Sequence, residues 1–202
     1  MKKILDNENG QSALFDAIIF LIIMIIASSL IYIYSGQFSK DVELTEREDM
    51  QSYNRETAEV VLGATLNSTW YEDIEGEIIK KPPGDTTVLY LLLEELYLMD
   101  DGVPKYNFVL GYEQDIKILI INLVTPVHHF ALSGHFTNES KNEDYNIFIS
   151  DMVPDYESKE EAILDNTDYG ELMPRSNLAS THYTLPMIGK DGEAQITFSL
   201  WR

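Results

Sequence analysis

The side chains in this sequence that could do chemistry are four histidines and a large set of carboxylates; there is no cysteine. His128, His129 and His135 are clustered, and His182 lies apart. On a strand, His129 and His135 would share a face about 20 Å apart at roughly 3.3 Å per residue, too far to chelate one metal. His128 and His129 would face opposite ways, so all are expected to be ordinary strand or loop histidines. The missing cysteines exclude disulfides and thiolate metal sites. Asp100-Asp101-Gly102 and Asp165-Asn166-Thr167-Asp168-Tyr169-Gly170 look faintly like calcium loops, but neither has the EF-hand spacing or its twelfth-position Glu. Both read as solvated loops. There is no glycine-rich phosphate loop and no G-x-S-x-G, and the carboxylates form no recognisable acid–base pair. The expectation is a protein without catalytic residues, metal or cofactor.

Three other positions could carry function. Asn67-Ser68-Thr69 and Asn138-Glu139-Ser140 are N-x-[ST] triplets, candidate glycan acceptors on exposed turns if this part of the chain lies outside the cell. Asp16 is a carboxylate at the edge of a long apolar run. Such a charge needs a reason. Hydration at the headgroup boundary supplies one, and complementing the positive end of a helix supplies another.

The apolar run constrains the architecture most strongly. Ala17 to Ser35 carries no charge. Nineteen helical residues would span about 28 Å at 1.5 Å per residue, near the hydrocarbon thickness of a bilayer. In lipid only a helix satisfies its own backbone, so the many isoleucines do not argue against one. Tyr32 and Tyr34 stand at the far end, where amphipathic rings prefer the interface. A secretory h-region is shorter, and here the apolar residues continue past Ala27-Ser28-Ser29. Lys2, Lys3 and the amino terminus favour the N-terminus inside and the bulk of the chain outside.

That bulk is acidic. Residues 1–35 hold Lys2 and Lys3 against Asp6, Glu8 and Asp16, so nearly all of the net charge of −20 lies beyond them. Such a surface repels nucleic-acid phosphates and anionic lipid, which excludes nucleic acid as the expected partner. Hydrophobic residues make up 45% of the chain, enough for a packed core.

The fold class expected is α+β. A transmembrane helix (11–35) continues as a helical stalk (36–70), followed by a head (71–202) with two short helices and a C-terminal antiparallel β-sheet. Met50, Tyr53, Thr57, Val60, Val61 and Ala64 recur at helical spacing and would form the stalk's apolar stripe. Residues 72–87 read as a connector turning at Lys80-Lys81-Pro82-Pro83-Gly84-Asp85. Asp85 or Thr86 would cap a helix over Val88–Leu98, closed by Met99-Asp100-Asp101-Gly102. Tyr112, Ile116, Leu119, Ile120 and Leu123 mark a second helix, stopped at Thr125-Pro126. Val127–Phe136 and Tyr145–Ser150 read as strands. Tyr183–Ile188 and Ala194–Trp201 read as a hairpin around Gly189-Lys190-Asp191-Gly192. In the last strand Ala194, Ile196, Phe198 and Leu200 point inward, while Gln195, Thr197, Ser199 and Trp201 point out. Residues 151–178 read as a long loop.

The stretch Asn9-Gly10-Gln11-Ser12-Ala13-Leu14-Phe15-Asp16-Ala17-Ile18-Ile19-Phe20 resembles the class III signal region of archaeal type IV pilin-like proteins. The resemblance covers about the first 35 residues. It implies removal of Met1–Gly10 as a leader by a membrane prepilin peptidase cutting between Gly10 and Gln11. It also implies a helix that packs with other filament subunits, with Asp16 pairing with a neighbour's amino terminus, and a β-rich C-terminal head at the cell surface. The chain departs from the family's pattern in two ways: Asn9 stands where a basic residue usually precedes the glycine, and Asp16 is sixth rather than fifth after the junction. The missing basic residue favours a different reading, a single-pass, signal-anchored membrane protein whose ectodomain binds an envelope partner without cleavage or assembly, whereas the Gly-Gln junction and Asp16 favour the first. A membrane-tethered hydrolase, the third reading, has no catalytic constellation behind it.

Overall fold

The computed structural model describes residues 2–66, 69–81, 86–158, 161–162, 173 and 178–202, with backbone alone for 2–16, 36–41 and 43. The protein is α+β, with an N-terminal apolar helix, further helices and antiparallel sheets. It divides into two compact units, Met1–Glu48 and Asp49–Arg202.

Helix α1 runs from Lys2 to Gly63. In the first unit its Ala17–Ser35 stretch is uncharged, long and apolar enough to cross a membrane by length and composition, and every side chain in it is exposed.

The second unit begins on the last turns of α1. The helix stops at Gly63 rather than running to residue 70, because the chain after it leaves to pair as a strand. The buried stripe is Asn54, Thr57, Ala58, Val61 and Leu62, with Met50, Tyr53 and Ala64 packed beside it. Val60, expected on that stripe, is exposed. The buried face instead takes in Asn54, whose amide donates to Ala179 O and Phe198 O.

The expected connector contains a hairpin. Strand β1 (Thr69–Glu72) pairs antiparallel with β2 (Ile78–Lys81). Asp73 Oδ1 closes the turn by accepting from the backbone N–H of Glu75 and of Glu77, each at 2.9 Å, and Gly76 supplies a positive φ of 80°. The 82–85 turn lies outside the described residues. Helix α2 (Val88–Asp100) is capped by Thr87, one residue later than expected, whose hydroxyl accepts from the Tyr90 N–H. Gly102, at φ 98°, ends it. A short helix α3 (Tyr106–Phe108) then leads into a π-helical turn, Val109–Glu113, and into helix α4 (Gln114–Leu123). The second helix is thus irregular over its first residues.

Four strands make the main sheet, β3 (His129–Asn138), β4 (Glu143–Ser150), β5 (Leu178–Pro186) and β6 (Glu193–Trp201), in the order β4-β3-β6-β5, all antiparallel. Phe130, Leu132 and Phe136 of β3, Ile147 and Ile149 of β4, and Ala194, Ile196, Phe198 and Leu200 of β6 share the buried face. Gly134 lets Leu96 of α2 close on this face; a Cβ there would meet Ile196, Ile147 and Leu96 at 3.3–3.5 Å. The opposite face is less open than alternation alone suggests. Ser199 and Trp201 are buried, and the indole of Trp201 stacks on the His129 ring with centroids 5.9 Å apart.

Candidate functional site

Gly10, Gln11 and Asp16 lie on α1, Asp16 immediately before the uncharged span; their side chains are outside the described set. Asn67 also lies outside the described residues. Asn138 ends β3 and is buried, which corrects its expected place on an exposed turn. Its Nδ2, the atom a glycan would need, donates to Asp100 Oδ1 at 2.8 Å.

The histidines are held separately. Arg202 Nε donates to His128 Nε2 at 3.1 Å, so Nδ1 is the protonated nitrogen and its 2.6 Å partner Thr125 Oγ1 the acceptor. His129 Nδ1 meets Asp151 Oδ2 at 2.6 Å. His135 lies between Asn146 and Thr137, and His182 bonds Thr197 across the β5–β6 pair. Among the described residues no group of three or more His, Cys, Asp or Glu side chains could hold a metal.

Two titratable clusters are built into the second unit, and neither was anticipated. The first centres on Asp100, at the C-terminus of α2, with its side chain 1% exposed. Oδ1 accepts from Lys141 Nζ at 2.9 Å and from Asn138. Lys190 Nζ sits 2.6 Å from Oδ2 as an ion pair whose angle is poor for a hydrogen bond, and it also contacts Asp101. The Lys190 ammonium lies over the Tyr97 ring, 4.1 Å from its centroid. Burial pushes the Asp100 carboxyl up, but its contacts with Lys190, Lys141 and Asn138 outweigh this and hold it far below its ordinary value. Asp100 therefore anchors two hairpin turns, those at 138–142 and 187–192, while Asp101 and Gly102 beside it are exposed.

The second cluster is acidic and interior. Glu95 of α2 is fully buried, and Glu113, closing the π-helical turn, is nearly so. Tyr112 Oη donates to Glu95 Oε2 at 2.9 Å. Burial, reinforced by Glu113, pushes the Glu95 carboxyl well up; burial also raises Glu113 and Tyr112. One signal for Glu95 was present in the sequence: it falls on the stripe Val88, Leu91, Leu92, Glu95, so of the Glu94-Glu95 pair it is the inward member. Glu94, its neighbour, pairs outward with Lys81. Gly111 makes the turn possible. At φ −98° and ψ −121° it breaks the helix, and a Cβ there would sit 1.9 Å from Trp70 O.

Beside this cluster, α4 and residues 153–156 enclose a small cleft lined by Glu113, Gln114 and Phe148. Lys117 bridges it to Val153 O and Asp155.

Compared with known protein families, curated proteins and solved structures, the chain matches none.

Proposed function

We propose that this chain is a pilin-like or minor-pilin-like structural subunit of an archaeal cell-surface filament, held in the membrane by its N-terminal helix before assembly. The observation that carries the reading is the coincidence of a Gly10-Gln11 junction with an uncharged helix, Ala17–Ser35, whose side chains are all exposed. Nineteen exposed apolar or small residues must be covered by lipid or by like helices. A filament core supplies the like helices. Hydrolysis of the Gly10–Gln11 peptide bond would create a new amino terminus at Gln11 and make Asp16 the sixth residue. In a bundle of such helices the Asp16 carboxylate of one subunit would neutralise the amino terminus of the next, which offsets the burial of both. Lys2 and Lys3 favour a topology with the leader inside and the acidic second unit outside. That unit then serves as the head, and its role is structural.

The absence of a basic residue before Gly10 favours the second reading, a permanently anchored ectodomain that binds an envelope partner. The variant Asp16→Ala separates the two. Under the filament reading it leaves membrane levels and the circular dichroism of the purified protein unchanged and abolishes filaments containing this subunit. Normal incorporation of Asp16→Ala into filaments would contradict the role given to Asp16.

A further inference from the structure

The two interior glutamates are used by nothing proposed so far. Glu95 Oε2 is satisfied by Tyr112, whose hydroxyl is also 3.3 Å from Leu91 O. Glu95 and Glu113 lie within hydrogen-bond reach of each other. Written as two carboxylates, they leave Glu95 Oε1 and Glu113 Oε1 buried without a donor. Two anions in contact at a buried site are strongly disfavoured, and so are two buried acceptors without donors. One proton placed between the carboxyls removes both faults.

The surrounding groups cannot substitute for that proton. On α2, Glu94 is tied to Lys81 and faces Tyr71. On the π-helical turn, Tyr112 is a neutral donor already spent on Glu95. The cation that acts on both glutamates is Lys105, on the segment before α3, and it is exposed to solvent.

We propose that Glu95 and Glu113 share a single proton and that this proton latches α2 to the Val109–Glu113 turn, so that the turn loosens when the proton is lost. The latch is independent of the filament reading. Its moving side is the turn. Helix α2 is held by Leu91, Leu92 and Leu96, all fully buried, whereas the turn is already broken at Gly111. Release carries Glu113 toward the cleft it lines with Gln114 and Phe148, where its carboxylate meets water.

The test uses the full chain in detergent micelles. Amide hydrogen exchange of residues 109–114 is followed between about pH 6 and pH 8, corrected for intrinsic exchange. An opening that releases one proton grows about tenfold per pH unit. Wild-type protection should fall by that factor. In Glu95→Gln, whose amide donates to Glu113 without a proton, protection should be flat. Infrared spectra at neutral pH should show a protonated carboxyl band that is lost in both Glu95→Gln and Glu113→Gln; if Glu95→Gln does not fold, the second variant and the wild-type band decide alone. A wild type without that band overturns the proposal. So does a Glu95→Gln protein whose protection falls with pH as the wild type's does.

Discussion

Lys190→Met removes an ammonium that is 10% exposed from an aspartate that is 1% exposed, while keeping most of the apolar stem. Truncating one partner of a buried ion pair destabilises by about 3–5 kcal/mol, because the other charge is left without compensation. Here Asp100 keeps Lys141 and Asn138, and Lys141 is 45% exposed and partly screened. The loss should fall at about 2–3 kcal/mol. The cation–π contact with Tyr97 adds about 0.5–1 kcal/mol. Asp101, 47% exposed, adds only tenths. A total near 3 kcal/mol is expected at pH 7. Urea unfolding of the full chain in micelles reads it through Trp70 and Trp201, the two tryptophans of the protein. The pH dependence follows from the direction of the Asp100 shift. A carboxyl held down in the folded state stabilises fully above its unfolded value, about 3.9, and the stabilisation is lost as pH falls below that. The gap between wild type and variant should therefore be constant from about pH 7 to 5 and shrink below about pH 4. Lys105→Met, at an exposed position, should change stability by less than about 0.5 kcal/mol. A Lys190→Met loss no larger than that of Lys105→Met would refute the assignment, and so would a loss that does not fade in acid.

Gly111→Ala is expected to destabilise by about 3 kcal/mol or more, or to prevent folding, since its Cβ would meet the Trp70 carbonyl and the backbone there cannot yield cheaply. Gly63→Ala, with nothing within 4 Å of the added carbon, should stay within about 0.5 kcal/mol of wild type in the same assay. Asn54→Ala removes donations to Ala179 O at 3.0 Å and Phe198 O at 3.4 Å and the acceptor for Thr181 Oγ1; thermal unfolding should show a loss of about 1–3 kcal/mol.

The elements legible in the sequence were those whose signal is local. Ala17–Ser35 declares itself by composition, and α2 by the spacing of Leu89, Leu92, Leu93 and Leu96 with Gly102 behind it. Strand β6 was clear because Ala194, Ile196, Phe198 and Leu200 alternate without a break. What was missed depends on distant partners. Strands β1 and β2 are four residues long, too short for alternation to speak, and they form because Gly111 gives Trp70 room. Trp201 points away from the core face yet is buried, since His129 of the neighbouring strand covers it. Asn138 looked like a surface triplet, and its burial depends on Asp100, far away in sequence. Of the interior acids, Glu95 was readable from its stripe. Glu113 stands three residues before Ile116 and seven before Ile120, so it too is in phase with the buried face, but nothing local says that it meets Glu95.

The most direct test of the filament reading is the amino-terminal sequence and intact mass of the protein purified from its native membranes. The account predicts an N-terminus at Gln11 and a mass lacking residues 1–10. An intact N-terminus at Met1 or Lys2 would contradict prepilin-type processing and leave a permanently anchored ectodomain in its place.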